Sequence, residues 1–366
     1  MAKILSVVGG RPQFIKEAIT GHALRRHHQE ILVHTGQHYD VELSENIFQE
    51  LEILTPTYNL GVGSASHAVQ TAKIMVEIEN VFLKEKPDIV LVYGDMNSTM
   101  GAAIAASKIG IPVAHVEAGA RMCVFDMPEE QNRIVTDHLA AWDFACNQHD
   151  YENLLSEGLS PYAYNVGDVM FDAVQHFLPI ARQKTEGDLW DNIQKISEGA
   201  APEESWYFST IHRPENTDKI EKLKRILNGL QELPHRVIFT VHPRIREKIE
   251  TLRHENKYEN ILFIKPVSYL ESLCLTAGAV GVITDSGGLQ RESYWLKTPG
   301  VIILREMVDK HMENGNCLVL AKPDKENILE KVLHTQIDRD AYDFTPYGGG
   351  EACKRIAEIL RTEKTR

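Results

Sequence analysis

The sequence lacks several features that would assign it at a glance. No stretch of its 366 residues approaches the ~18–20 consecutive apolar residues that a spanning helix needs. The first ten residues, Met1 to Gly10, hold a short apolar run without the longer core and cleavage site of a signal peptide. They read as a first buried β-strand. Five cysteines (Cys123, Cys146, Cys274, Cys317 and Cys353) lie far apart with no C-x-x-C pair, which disfavours a zinc ribbon or a dithiol redox motif. So sparse and odd a set fits a reducing, cytoplasmic setting. Basic charge is short as well. Lys and Arg number 39 against 52 Asp and Glu, for a formal charge of −13, which argues against a general nucleic-acid binder. No compact carboxylate–histidine cluster stands out among the 16 histidines, so no metal site is expected.

What is present is ordinary globular composition, 43% hydrophobic and 25% charged. The length suits two domains or one large α/β unit. Short apolar strands are expected at Lys3–Val8, Glu30–Thr35, Asp88–Tyr93, Val113–Val116, Phe144–Cys146 and Ala163–Val166. Amphipathic helices fall between them, notably at Ala68–Lys84, Ser98–Ile109, Pro128–Ala140 and Asp150–Glu157. That alternation predicts a doubly wound parallel sheet. Leu178–Ser205 is polar and reads as helix plus linker. A second series then begins at Trp206–Thr210 and continues through Arg236–Val241, Ile261–Ile264, Val280–Thr284 and Gly300–Leu304. The expected organisation is an N-terminal domain over 1–175, joined by the last helix at 351–366, and a C-terminal domain over 176–350. Two doubly wound domains facing a cleft would place ligands beyond the carboxyl ends of their strands.

The polar residues at those ends carry the candidate chemistry. Gly9-Gly10-Arg11-Pro12-Gln13 follows the first strand, where glycines permit close backbone approach and Arg11 offers a forked donor to phosphate, with Lys16 one turn later. An ordinary βα turn is the plainer reading. Asp95 and Glu117 end consecutive strands ~4.8 Å apart, so both carboxylates can face one ligand and divide acid and base roles. Asp95 could equally be a helix cap. Met127-Pro128-Glu129-Glu130 opens a helix whose positive end favours the acids, with Arg121 and Arg133 flanking as charge partners or anion ligands. In the second half, Asp285-Ser286-Gly287-Gly288 leads a strand into a helix and would expose N–H donors to an anion. It is neither a Walker loop nor a G-x-G-x-x-G. Glu292 lies one turn in, placed to accept from a sugar diol. His212 and His242 follow two second-half strands and could meet phosphate or move protons. A sugar nucleotide suits this division, but the residues alone do not choose a reaction.

Read together, RPQFIK (Arg11–Lys16), TGQHYD (Thr35–Asp40), YNLGVGSASHAVQTA (Tyr58–Ala72), YGDMNST (Tyr93–Thr99), HVEAGAR (His115–Arg121), MPEEQNR (Met127–Arg133), HRPEN (His212–Asn216), TDSGGLQRE (Thr284–Glu292) and YGGGEACKRI (Tyr347–Ile356) resemble the non-hydrolysing UDP-N-acetylglucosamine 2-epimerase family. The resemblance runs from Lys3 to about Ile359. It implies two Rossmann-like domains of glycosyltransferase-B type, usually a homodimer, no redox cofactor, and inversion at C2 of a UDP-2-acetamido sugar through a 2-acetamidoglucal. By motif match it implies Asp95, Glu117, Glu130 and His212 as catalytic. Arg11, His242, Ser286, Gly287 and Gly288 would hold diphosphate, Glu292 the ribose and Tyr269 the uracil. Gln37, His38, Gln70 and Arg213 match positions that bind an activating second UDP-sugar in some bacterial members.

Two segments depart from the family pattern. Arg305–Gly315 is about two residues short, and Arg121-Met122-Cys123 replaces the common Arg-Thr or Arg-Ser form. RPQF, Asn165–Met170 and Gly348–Gly350 lean toward the branch acting on UDP-2,3-diacetamido-2,3-dideoxy-glucuronate, where Arg121 is a candidate cation for the substrate carboxylate. A glycosyltransferase of the same fold, a hydrolytic epimerase and a non-catalytic UDP-sugar sensor are the other readings.

Overall fold

The structure is a computed structural model that describes residues 1–36, 47–159, 161–185, 189–193, 195–196, 205–307 and 309–362. They form two compact units, Met1–His176 with Phe344–Arg366, and Phe177–Asp343.

The first unit is built on seven strands: β1 (Lys3–Val8), β2 (Gln29–His34), β3 (Tyr58–Asn59), β4 (Ile89–Tyr93), β5 (Val113–Ala118), β6 (Trp142–Ala145) and β7 (Ala163–Asn165). They run parallel in the order β3-β2-β1-β4-β5-β6-β7. The second unit has six: β8 (Trp206–Thr210), β9 (Arg236–Thr240), β10 (Ile261–Ile264), β11 (Gly281–Thr284), β12 (Gly300–Ile302) and β13 (Leu318–Leu320). Their order is β10-β9-β8-β11-β12-β13, again parallel. Both orders reverse direction beside their first strand, between β1 and β4 and between β8 and β11, which is the doubly wound α/β pattern. The sequence explains the choice. β4 reads Ile-Val-Leu-Val-Tyr and every residue of it is buried, as a strand covered on both faces must be.

The helices that position the first site are α1 (Arg11–Leu24), α2 (His67–Glu85), α3 (Asn97–Lys108) and α4 (Pro128–Leu139). In the second unit, α5 (Pro214–Thr217) follows β8 and α6 (Gly287–Trp295) follows β11. Each unit has its own apolar core. Leu5, Val33, Phe82, Val90 and Ala102 meet in the first, and Leu223, Ile226, Phe239, Phe263 and Ile283 in the second. Gly9 must be glycine for packing reasons, since a Cβ there would lie 2.1 Å from Ser98 Oγ and 2.7 Å from Thr35 Oγ1. The closing helix Ala352–Thr362 packs within the first unit, where Cys353 N–H donates to Asp172 Oδ2 (2.8 Å). No helix among the described residues is long and apolar enough to cross a membrane.

Three details differ from the sequence expectation. β3 and β13 were not anticipated, because strands of two and three residues at sheet edges leave almost no periodic signal. The helix expected around Leu178 starts earlier, at Val169, and runs to Thr185 with Pro179 inside it.

Candidate active site

In the first unit the chemistry gathers where β1, β4 and β5 end. The register pairs Val92 with His115 and Tyr93 with Val116, so Asp95 and Glu117 emerge from adjacent strands. Glu117 sits at φ 72°, left-handed backbone for a residue with a Cβ, and the β5–β6 register shifts across Val116 and Ala118. The bulge and the strained dihedral together turn the Glu117 side chain out of the strand's ordinary alternation. Gly94, at φ +60°, makes the matching turn before Asp95. A Cβ on it would stand 3.2 Å from Glu117 Oε2 and 3.3 Å from Lys16 Nζ.

Each acid meets a cation. Lys16, from the second turn of α1, pairs with Glu117, and Arg133 of α4 pairs with Asp95. Asn132 Nδ2–H donates to the Asp95 carbonyl (2.7 Å). Gln13 ties the ends of β1 and β4 to the start of α3. Its Oε1 accepts Gly9 N–H (2.6 Å) and its Nε2–H donates to Tyr93 O (2.6 Å) and Thr99 Oγ1 (2.9 Å). Glu130 is buried at the α4 N-terminus, accepting Met122 N–H (3.1 Å) and Cys123 N–H (2.9 Å), with Arg133 NH1 at 3.8 Å. Arg11 opens α1 as an exposed residue after Gly10, which makes no side-chain cap.

Two of the expected ligand residues are engaged with protein neighbours. Arg121, a candidate cation for a substrate carboxylate, gives its guanidinium to Asp137 (2.7 Å) and Glu157 (2.8 Å) and leaves only 7% of its side chain exposed. Gln70, a candidate for a second nucleotide, turns inward. It donates to Gly63 O (2.8 Å) and accepts from Asn97 Nδ2 (2.7 Å). Gln37 and His38 lie outside the described residues.

The second unit presents a different surface. β8, β9 and β11 are followed by His212, His242 and Asp285. Asp285 is fully buried and organises the junction: it accepts His212 N–H (2.9 Å), Arg213 N–H (3.0 Å) and Asn216 Nδ2–H (3.0 Å). Arg213 Nε–H returns a bond to the Asp285 carbonyl (2.9 Å). The imidazoles of His212 and His242 stack with centroids 5.3 Å apart and planes 22° apart. Burial pushes both below the ordinary histidine value, and for His212 it outweighs the pull of Asp285. Both rings are therefore neutral near pH 7. Ser286 caps α6, accepting Leu289 N–H at 3.3 Å. At Gly288 a Cβ would meet nothing nearer than Ser286 Oγ at 4.0 Å, so this helix start is open. Glu292 lies one turn further and is buried. Tyr269 is buried too, its ring edge-on to Phe177 (5.9 Å, 86°).

Sequence reasoning missed Asp285 as an organising residue, although its place directly after a strand was a usable signal. It also missed the buried group of His115, Asp137 and Asp143, whose ligand-type atoms lie within 4.8 Å of one another. Those residues are 28 positions apart at most and share no motif spacing, so nothing in the sequence pattern joined them.

Comparison with known proteins gives the family. A family model described as UDP-N-acetylglucosamine 2-epimerase matches residues 22–361. A UDP-N-acetylglucosamine 2-epimerase homolog of Methanococcus maripaludis is 43% identical over 98% of this chain and 99% of its own. A UDP-2,3-diacetamido-2,3-dideoxy-D-glucuronate 2-epimerase of Pseudomonas aeruginosa is 38% identical over 98% and 99%. The crystal structure of Methanocaldococcus jannaschii UDP-GlcNAc 2-epimerase in complex with UDP-GlcNAc and UDP superimposes with a TM-score of 0.84 at 34% identity, covering 99% of this chain and 100% of that one.

Proposed function

This chain belongs to the UDP-N-acetylglucosamine 2-epimerase family, and from that premise we propose that it inverts C2 of a UDP-2-acetamido sugar, with UDP-N-acetylglucosamine the first substrate to test. The observation that carries the reading is the pair of strand-end acids, Asp95 and Glu117, each held beside its own cation in one unit. The other unit offers the open helix start at Ser286–Gly288 and two neutral imidazoles.

The chemistry needs no net redox change. A base removes the C2 proton, the C1–O bond breaks, and UDP leaves with that electron pair to give a 2-acetamidoglucal. Proton return to the opposite face of C2 and readdition of UDP to C1 complete the inversion. Asp95 and Glu117 are assigned the proton transfers, because two carboxylates in unlike surroundings can differ in basicity. Glu130 is assigned a place beside them, where its buried carboxylate holds the Met122–Cys123 turn and reaches toward Arg133. Arg11, Ser286, Gly287 and Gly288 are assigned to the diphosphate, with His212 and His242 beside it, Glu292 to the ribose and Tyr269 to the uracil. The reading includes a cytoplasmic homodimer, which light scattering on the purified chain tests.

The experiment is proton NMR in deuterium oxide with purified protein and UDP-N-acetylglucosamine. Formation of the C2 epimer carrying deuterium at C2, with the nucleotide retained, is the expected result. Release of free UDP and sugar would instead make the chain a hydrolase. No exchange with any UDP-2-acetamido sugar would remove the epimerase reading. The 38% identical relative gives one specific reason to run the 2,3-diacetamido uronate second. If that sugar is the substrate, Arg121 would have to release Asp137 or Glu157 to meet its carboxylate.

A further inference from the structure

Between the strands that carry Asp95 and Glu117 lies a fully buried histidine with no role so far, His115 of β5. Its Nε2 is 2.8 Å from the Gly94 carbonyl oxygen and its Nδ1 is 2.6 Å from Asp137 Oδ1. Both neighbours are acceptors. A carbonyl has no proton to give, and the second Asp137 oxygen already takes Gly119 N–H (3.1 Å) and Arg121 NH2 (2.7 Å). A neutral imidazole has one N–H and one lone pair, so one of its two contacts would set lone pair against lone pair. A ring carrying both protons satisfies both contacts.

The neighbouring charges agree. Asp137 is fully buried. Arg121 brings one positive charge and shares it with Glu157. A buried carboxylate beside a divided guanidinium is stabilised by a second cation. Burial alone would push the Asp137 carboxyl up, yet His115 and Arg121 together hold it below its usual range.

We propose that His115 is a positively charged positioning residue that fixes Asp95 and Glu117 relative to each other. On the β4 side its Nε2–H holds the carbonyl of Gly94, whose own N–H donates to Val116 O (2.9 Å). The residue before Asp95 is thereby tied to β5 on both of its peptide groups. On the β5 side, Asp137 takes His115 two residues before Glu117 and the Gly119 N–H two residues after it. The bulge that aims Glu117 is bracketed by one carboxylate, and that carboxylate needs the histidine's charge to remain ionised in a buried place.

This inference rests on the epimerase reading for its rate measurement but not for its charge. In protein labelled with 15N-histidine, a water-protected ring with protons on both nitrogens at neutral pH is expected, and its signal should vanish in His115→Gln. A single ring proton overturns the proposal. His115→Gln keeps one donor and loses the charge. Among folded molecules it should lower kcat and C2 deuterium exchange together by about 10²-fold, the scale of misplacing a reacting group. KM and calorimetric UDP binding should stay as in the wild type, and Asp137→Asn should reproduce the pattern. An unchanged kcat, or UDP binding lost in step with kcat, overturns the proposal. Should both variants fail to fold, the wild-type ring spectrum still decides it. A wild type that epimerises nothing refutes the functional reading alone, and the ring spectrum stands apart from that result.

Discussion

The two units carry different electrostatics at equivalent places in the same fold. At the carboxyl ends of β1, β4 and β5, formal charges stand in matched pairs, Lys16 with Glu117 and Arg133 with Asp95. At the ends of β8, β9 and β11, the one fully buried acid is Asp285, and backbone N–H groups and Asn216 occupy it. What remains open there is two imidazoles depressed by burial and a helix start, with the neighbouring cations already engaged, Arg213 on the Asp285 carbonyl and Arg244 with Asp218. Paired charges can exchange protons with a bound molecule at little cost in net charge. Neutral donors at a helix N-terminus attract an anion without one. The doubly wound scaffold provides strand-end turns in both units, and a few residues per turn decide which kind of chemistry each supports.

Removing one member of a matched pair is the sharpest way to break this contrast. Asp95→Asn and Glu117→Gln should each lower kcat for C2 inversion by about 10³-fold, the usual scale for a general acid or base. UDP binding measured by calorimetry should change little. If either variant loses UDP binding and keeps its turnover, the division of roles between the units is wrong.

Asp285→Asn tests the other side through stability. The amide cannot accept from His212 N–H, Arg213 N–H and Asn216 at once, so a buried donor is left unmet, at a cost of about 2–3 kcal/mol. Urea denaturation should show a lower midpoint with an unchanged slope. An unchanged midpoint would mean that Asp285 does not organise the junction. Gly288→Val is a smaller perturbation. The substitution has room, so the fold should hold while the branched side chain crowds the open helix start. UDP affinity should fall about tenfold, or 1.4 kcal/mol, with kcat at saturation nearly unchanged.

Much of the contrast was readable in the residues. Continuous apolar runs such as Ile89–Tyr93 announced a parallel sheet, and acids directly after such runs announced strand-end chemistry. What sequence could not give was pairing across distance. Lys16 and Glu117 are 101 positions apart, and Arg133 and Asp95 are 38 apart. The strand order brings each pair together, and that order is set by the packing of whole helices. The inward turn of Gln70 and the capture of Arg121 were hidden for the same reason. A motif shows that a polar side chain is present but not which neighbour has already claimed it. His115 was visible as the first residue of HVEAGAR, yet its role depends on Asp137, which lies beyond the following loop and most of α4.

The smallest effect expected is on pH, and it follows from the neutral half of the comparison. Burial depresses both His212 and His242 in the folded protein, so an unfolded chain binds more protons than the folded one just below the ordinary histidine value of ~6.5. Their contribution to stability is therefore intact above that value and lost as the pH falls through it toward the depressed folded values. A bound diphosphate reverses the local preference, because negative charge beside an imidazole favours its protonated form. UDP binding should then take up protons and tighten by about two- to fivefold as pH falls from about 8 to 6. The protonation should appear in calorimetry as a binding enthalpy that depends on the ionisation heat of the buffer. In His212→Asn with His242→Asn both signals should disappear. Buffer-independent enthalpy in the wild type would place the diphosphate away from these two rings and leave the helix start at Ser286 to hold it without them.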